Sequence, residues 1–165
     1  MANITFQEVK NKKQAELVAE LASEIWNEYY INIISKKQIE YMLATFQSTE
    51  GIQSQIEDGS EYYIIYDGES PAGYLSFKQQ DDYLFLSKLY IKFESRSKGI
   101  GKKALALLKA KCKDKNIKSI RLTVNKHNYP AIDIYKRRGF KTIDSVETDI
   151  GNGFVMDDYI LELRI

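Results

Sequence analysis

The segment that decides the fold is Arg96-Ser97-Lys98-Gly99-Ile100-Gly101-Lys102-Lys103, which separates an apolar segment from an amphipathic one. Residues 84–93 are mostly apolar or aromatic, as is typical of a buried strand, and from Ile100 onward apolar residues recur at helical spacing. The first amides of a helix lack intrahelical partners and carry the positive end of its dipole, so they attract phosphate. Gly99 and Gly101 carry no side chain that would block its approach. The segment therefore predicts a phosphate-binding turn.

Two glycines beside basic residues are also compatible with a plain strand-to-helix turn. The segment is not a Walker loop, because it lacks Gly-x-x-x-x-Gly-Lys-Ser/Thr. It is not a dinucleotide-binding fingerprint either, because no third glycine follows Gly-x-Gly. The rest of the chain favours the phosphate-binding interpretation.

A second motif is Leu-Thr-Val-Asn-Lys-His-Asn-Tyr-Pro-Ala-Ile-Asp-Ile-Tyr-Lys-Arg-Arg-Gly-Phe, at residues 122–140. It predicts a strand that ends near Asn125 and a helix that Asn128 can cap and Gly139 can end in the left-handed conformation. Pro130 suits the first turn, where its missing N–H has no partner. Tyr135 lies two turns beyond Asn128 and shares its helix face. On periodicity alone, Tyr135 is better explained as a core residue that anchors the helix to the sheet.

Arg-x-x-Gly-x-Gly after a strand, together with Asn-x-x-Ala-x-x-x-Tyr before Gly-Phe, resembles the GCN5-related N-acetyltransferases (GNAT superfamily). The specific motifs cover mainly residues 84–140, and the order of elements agrees over essentially the whole chain. The resemblance implies an α/β (α+β) fold with a mixed, mostly antiparallel seven-stranded sheet, about four helices and a splay between strands four and five. We expect residues 1–165 to form a single acetyltransferase domain.

Hydrophobic periodicity and turn residues give the expected elements. Strands are predicted at residues 4–9, 61–66, 72–77, 83–93, 117–124, 140–148 and 154–165. Helices are predicted at residues 14–30, 36–46, 99–112 and 128–138, with a further short helix at 49–58. Ser35 is expected to cap the second helix.

The resemblance implies an acetyl-CoA-dependent acyltransferase and assigns residues to this cosubstrate. In the family, strand four pairs its backbone with the pantetheine arm, the loop amides hold the pyrophosphate, and the helix of the second motif faces the thiol arm. Carried over residue by residue, the predicted acetyl-CoA contacts are Leu89, Tyr90, Ile91, Arg96, Ser97, Lys98, Gly99, Ile100, Gly101, Lys102, Lys103, Asn125, Asn128, Ala131 and Tyr135.

The resemblance also makes Tyr135 the predicted proton donor to the departing thiolate. Many relatives carry a glutamate general base just before the Leu-Tyr-Val-like part of strand four, where this chain has Ser87 and Lys88. An alkylammonium has a pKa of about 10, so a proton acceptor or a depressed amine pKa is useful. The predicted substitutes are an ordered water held by Ser87, which is favoured, or an acid such as Glu28. A covalent route through Cys112 is less favoured, because nothing around it suggests a lowered thiol pKa.

The first helical region is acidic and aromatic, which suits a polycation through charge pairing and packing of its methylenes. The residues predicted to bind the acceptor are Trp26, Glu28, Tyr29 and Tyr41. Residues 25–30 (Ile-Trp-Asn-Glu-Tyr-Tyr) and 62–68 (Tyr-Tyr-Ile-Ile-Tyr-Asp-Gly) also resemble, more loosely, bacterial spermidine/spermine-type N-acetyltransferases. We therefore expect a small primary amine, with a polyamine first. A protein N-terminus or lysine, an aminoglycoside and a non-catalytic acetyl-CoA-binding module are the alternatives.

A third segment, Gly-Phe-Val-Met-Asp-Asp-Tyr-Ile-Leu-Glu at residues 153–162, resembles the closing strand of many bacterial members. The resemblance places the aromatic end of this hairpin near the acceptor site. Asp157 and Asp158 could attract a cationic acceptor. An acidic pair at the start of a strand is more often a solvated edge feature, so we expect both carboxylates to be exposed.

A net charge of +1 hides a strong segregation of charge. Residues 96–118 contain nine Lys or Arg and one acid, whereas residues 16–61 contain nine acids and two bases. The basic segment suits the phosphates of coenzyme A or a solvated helix face. It has no interleaved aromatic residues, so we expect no nucleic-acid partner.

The numbers of cysteine and histidine residues limit the disulfide bonds and metal sites that the chain can form. One cysteine and one histidine exclude an internal disulfide framework and argue against a zinc site, so we expect no metal. Residues 1–13 are polar and no run approaches the roughly 18 apolar residues of a membrane span, so we expect a cytoplasmic protein without a membrane partner. Many relatives pair through sheet edges, which makes a homodimer the hypothesis for its assembly.

Overall fold

The computed structural model describes residues 3–165; Met1 and Ala2 lie outside the described residues. The strands are β1 (Ile4–Glu8), β2 (Glu61–Asp67), β3 (Ser70–Gln80), β4 (Tyr83–Ile91), β5 (Ser119–Asn125), β6 (Lys141–Gly151) and β7 (Phe154–Arg164). The helices are α1 (Lys12–Tyr29), α2 (Lys36–Phe46), α3 (Thr49–Glu57), α4 (Ile100–Asp114) and α5 (Tyr129–Arg137). One mixed seven-stranded sheet has the order β1-β2-β3-β4-β5-β7-β6. The predicted α/β fold is confirmed, with five helices rather than about four in the described chain.

The chain forms two compact units. Unit 1 comprises residues 3–78 and Ser87–Leu107. Unit 2 comprises Gln79–Leu86 and Leu108–Ile165. Strand β4 therefore contributes its first residues to unit 2 and its last five to unit 1.

Unit 1 is built on antiparallel pairing of β1 with β2 and of β2 with β3. Helix α1 begins at a capping box, in which Asn11 and Gln14 satisfy each other's backbone amides. Ser35 caps α2 as predicted, because its hydroxyl accepts the hydrogen bond of the Gln38 amide. The core is formed by the apolar face of α1 and the inner residues of β2 and β3, which include Val18, Ala22, Ile25, Ile64, Leu75 and Phe77.

Strands β3 and β4 approach each other most closely at Gly73. A Cβ at this position would overlap the carbonyl oxygen of Tyr90 and lie 3.0 Å from the Cα of Ile91. The Lys92 amide donates to the carbonyl of Ala72 at 2.8 Å, just beyond the end of β4. A 3-10 turn at Phe93–Ser95 follows, so the strand predicted to end at residue 93 ends at Ile91. Glycine is the residue that permits this approach.

Unit 2 contains the parallel pairing of β4 with β5, at Leu84, Phe85 and Leu86. Strand β7 lies between β5 and β6 and pairs with both in antiparallel fashion. The strand predicted from residue 117 begins at Ser119 instead. The reason is the end of α4, where the Ile117 amide donates to the Cys112 carbonyl at 2.8 Å and Asn116 has a φ of 56°.

Candidate functional site

The glycine-containing loop of unit 1 leads directly into α4. Ser97 and Gly99 have positive φ values of 64° and 79°, and the Lys103 amide bonds to the Gly99 carbonyl at 3.1 Å, so Gly99 lies at the cap position. Glycine brings no side-chain oxygen to satisfy the first-turn amides. A Cβ added to Gly99 would meet nothing within 4 Å, so the approach is open. This conformation suits the binding of a phosphate group, as the sequence predicts.

The basic side chains around the loop differ in what they contact. Arg96 donates from Nε to the Ile91 carbonyl at 3.2 Å, and its guanidinium lies 3.8 Å from Glu28 and stacks over Tyr29 at 5.3 Å. Lys98 Nζ lies 3.3 Å from the Asp67 carboxylate. Three lysines among the predicted coenzyme contacts are exposed, namely Lys98, Lys102 and Lys103. Because Lys98 pairs with Asp67, Lys102 and Lys103 are the exposed lysines that remain available to an anion.

The end of β4 carries the predicted pantetheine contacts Leu89, Tyr90 and Ile91, all half-buried. The Tyr90 hydroxyl shares a hydrogen bond with that of Tyr30 at 2.7 Å, and its ring packs 5.3 Å from the ring of Trp26. Together with the close approach at Gly73, these contacts hold the Tyr90 backbone in place.

A chain of hydrogen bonds joins buried polar side chains in unit 1. Trp26 Nε1 donates to the Tyr74 hydroxyl at 3.0 Å, and that hydroxyl donates to Gln47 Oε1 at 2.6 Å. Gln47 Nε2 donates to the Tyr62 hydroxyl at 3.0 Å, which in turn donates to Gln55. Burial raises the pKa of Tyr62 to about 12 and that of Tyr74 well above its ordinary value. Both hydroxyls therefore stay protonated, and the hydrogen-bond network stabilises the core of unit 1.

This network changes the position expected for Trp26. The prediction put its ring on the acceptor wall, but the residue is only 1% exposed and its indole N–H is bonded within the core. Glu28 is exposed, whereas Tyr29 is half-buried and packs edge-on against Tyr30 at 5.1 Å. Tyr41 is half-buried on α2, edge-on to Phe46 at 6.2 Å. The structure thus brings Glu28 and Tyr29 together around Arg96.

The position of the family's glutamate is occupied by Ser87 and Lys88. Ser87 Oγ donates to the Ser76 carbonyl at 3.2 Å, so its proton is engaged while its oxygen can still accept a hydrogen bond. Lys88 Nζ donates to the Ser87 carbonyl at 3.4 Å. Burial lowers the pKa of Lys88 to about 8. Neither side chain is a carboxylate, and the predicted role of Ser87 in holding an ordered water stays a prediction.

In unit 2, the end of β5 and the start of α5 form a tight polar turn. The Asn128 amide donates to the Asn125 carbonyl, and Asn125 Oδ1 accepts from the His127 amide, both at 2.9 Å. Asn128 occupies the cap position of α5, but its side chain makes no capping hydrogen bond, which corrects that prediction. Asn125 and Asn128 are both buried.

Two further predicted coenzyme contacts, Ala131 and Tyr135, lie on α5 and are half-buried. The Tyr135 ring packs edge-on against Phe140, with 5.4 Å between ring centres. Gly139 has the predicted positive φ, 100°, and its amide donates to the Lys136 carbonyl at 3.1 Å. This turn fixes the end of α5, and with it the last helical turn that carries Tyr135.

The two adjacent acids of β7, Asp157 and Asp158, lie in different environments. Asp157 binds Lys126 Nζ at 2.9 Å and is partly exposed. Asp158 is only 6% exposed, and its Oδ1 has no hydrogen-bond partner among residues 3–165. The expectation of a solvated edge was wrong for Asp158, because β7 lies between two other strands. Burial, and then the charge of Asp157, raise the pKa of Asp158 to about 6, against the lowering effect of Lys126.

Within residues 3–165, no group of three or more His, Cys, Asp or Glu side chains could hold a metal ion. Of the helices in the same part of the chain, none is long and apolar enough to cross a membrane.

Residues 18–140 match the model of the Acetyltransferase (GNAT) family. The chain is 30% identical over 147 residues to a spermidine N(1)-acetyltransferase of Thermoplasma acidophilum, covering 86% of this chain and 89% of that protein. The PaiA N-acetyltransferase of T. acidophilum, solved in complex with coenzyme A, superposes with a TM-score of 0.82 at 26% identity and 99% coverage of each chain.

A GCN5-related N-acetyltransferase structure from Rhodopseudomonas palustris has the same fold, with a TM-score of 0.83 at 13% identity and coverage of 100% of this chain and 98% of that one. The residues of the predicted phosphate-binding loop fit coenzyme A, because the loop leaves open the approach to the α4 amides. The chain therefore belongs to the GNAT acetyltransferase family and is an N-acetyltransferase that uses acetyl-CoA as cosubstrate.

Proposed function

We propose that this enzyme transfers the acetyl group to a primary amine of a small polycation, with polyamines such as spermidine as the acceptor class. The observation that carries this proposal is the 30% identity to a spermidine N(1)-acetyltransferase along most of both chains. The acidic α1 supports it, because Glu16, Glu20 and Glu28 are exposed on this helix. Protein amines and aminoglycosides are the competing acceptors.

Acetyl-CoA, when bound, supplies the acetyl group as a reactive thioester. In unit 1, we assign the pyrophosphate to the amides of residues 98–103 and to the exposed Lys102 and Lys103. The backbone of Leu89, Tyr90 and Ile91 pairs with the pantetheine arm. The Arg96 guanidinium pairs with Glu28 at 3.8 Å, and its contact with the coenzyme stays a prediction.

In unit 2, Tyr135 holds the proton that the leaving sulfur takes. A phenol O–H is a hydrogen-bond donor that can act as a general acid. The surface beside this helix face is formed by Asn125, Asn128 and Ala131. A cytoplasmic location, a homodimer and the organisation of the chain as one domain stay predictions.

Acceptor selectivity tests the polyamine assignment. We expect kcat/KM for spermidine to exceed that for butylamine, a monoamine with the same reacting group, by at least tenfold. Glu28→Gln should raise KM for spermidine about three- to tenfold, since an exposed carboxylate contributes about 1 kcal/mol to a charge pair. It should leave KM for butylamine nearly unchanged.

Glu16→Gln is the matched control, because Glu16 is exposed on the same helix three turns away. The polyamine assignment fails if butylamine or a lysine peptide is used as efficiently as spermidine. An equal effect of the Glu16 and Glu28 substitutions would show that only the overall charge of α1 matters.

A further inference from the structure

Asp158 is a buried acid on strand β7 of unit 2. It is directly opposite Asn125 of β5 and opposite Val146 of β6. Directly opposed residues of an antiparallel pair project from the same face of the sheet, so Asp158 and Asn125 are neighbours. Resemblance to the family assigns Asn125 to the acetyl-CoA site. The Asp158 carboxyl group is thus placed beside one residue, Asn125, that the resemblance assigns to the acetyl-CoA site.

Among the described residues, no cation forms a salt bridge with Asp158. Lys126 is the nearby cation, but its Nζ binds Asp157 at 2.9 Å and lies over the Tyr159 ring at 5.5 Å. On β6, Glu147 is opposite Asp157 and adds a further negative charge. His127 belongs to the adjacent loop and contributes its backbone amide to Asn125. Lys126 therefore pairs with the partly exposed Asp157, while the buried Asp158 has no salt bridge within residues 3–165.

A buried carboxylate without a partner costs free energy unless another group occupies the adjacent position. An ionised carboxylate in a buried site without a partner is strongly disfavoured, and most buried polar atoms have a hydrogen-bond partner. Unpaired buried acids with perturbed ionisation cluster at functional sites. A cationic amine would supply both the missing charge and the missing donor.

We propose that Asp158 is a catalytic residue that binds the ammonium group of the acceptor and accepts its proton, taking the role of the glutamate that strand β4 lacks. This inference rests on the proposed function, because the acceptor must be an amine. One proton passes from the ammonium to Asp158 Oδ1. The freed lone pair then forms the bond to the acetyl carbon, and the carbon–sulfur bond breaks with its electron pair going to sulfur. Tyr135 gives its proton to sulfur and takes the second proton released by nitrogen.

The test compares two adjacent substitutions of similar size, with spermidine as the probe. Asp158→Asn should lower kcat/KM at pH 8 about 100-fold and remove the acidic limb of its pH profile, which wild type shows as activity falls below a pKa of about 6. Asp157→Asn should keep kcat within about threefold and move that limb to lower pH, because the charge of Asp157 raises the pKa of Asp158.

Two readouts separate this role from a structural one. Acetyl-CoA affinity and the melting temperature of Asp158→Asn should match or exceed those of wild type, while spermidine binding measured by calorimetry weakens at least tenfold. If Asp158→Asn keeps wild-type kcat/KM and the same acidic limb, the inference is overturned and the proposed function stands. If wild type acetylates no amine, the proposed function fails and the inference falls with it.

Discussion

Replacing Gly73 with alanine is expected to lower the free energy of unfolding by about 3 kcal/mol or more. The added Cβ would overlap the Tyr90 carbonyl oxygen and crowd the Ile91 Cα, which are backbone atoms that cannot rotate away. Strand β4 would have to move away from β3. Since Tyr90 and Ile91 are assigned to the pantetheine arm, we also expect acetyl-CoA affinity to fall at least tenfold. Urea denaturation and calorimetry measure the two effects.

Gly68→Asn is the control for the loss of a glycine. Gly68 lies in the turn between β2 and β3 with a φ of 63°, and a Cβ there would meet nothing within 4 Å. Asparagine tolerates the left-handed conformation, so the stability should change by less than about 1 kcal/mol. A Gly73→Ala protein with wild-type stability and acetyl-CoA affinity would contradict the account of the β3–β4 junction.

Tyr135→Phe is expected to lower kcat about 100-fold with little change in stability. Phenylalanine keeps the edge-on packing against Phe140 and removes only the hydroxyl that is assigned to protonate the leaving sulfur. Acetyl-CoA affinity should stay within about threefold, because the ring remains on its helix face. Steady-state kinetics with saturating acetyl-CoA and amine measure the effect.

The matched control is Tyr129→Phe, at the first position of the same helix. Tyr129 is 65% exposed and no role in the reaction is assigned to it, so kcat should be unchanged. If Tyr135→Phe retains kcat within threefold of wild type, the phenol is not the proton donor. In that case Tyr135 is the core anchor that periodicity alone favours.

Local sequence signals were sufficient for most of the element order. Ser35 marks the start of α2 and Gly139 the end of α5, because capping and left-handed turns depend on neighbours along the chain. The strand-to-helix loop at residues 96–103 could be located for the same reason. The end of β4 could not, since it depends on the bond between Lys92 and Ala72 of another strand.

In the candidate site too, some features follow from the local sequence and others depend on long-range contacts. The face shared by Asn128, Ala131 and Tyr135 follows from helical spacing within one motif. Burial of Asp158 depends on β7 lying between β5 and β6, which is a long-range pairing that an acidic pair in sequence cannot reveal. Trp26 was assigned to the wrong environment because its partner, the Tyr74 hydroxyl, is 48 residues away.

Acceptor-dependent release of free thiol from acetyl-CoA is the measurement that tests the central claim most directly. The purified protein would be assayed with spermidine, spermine, butylamine, a lysine peptide, an N-terminal peptide and an aminoglycoside, with a reaction lacking any acceptor as control. We predict thiol release that depends on the amine and is fastest with spermidine or spermine. The account would be contradicted if a folded protein that still binds acetyl-CoA released no thiol with any of these amines.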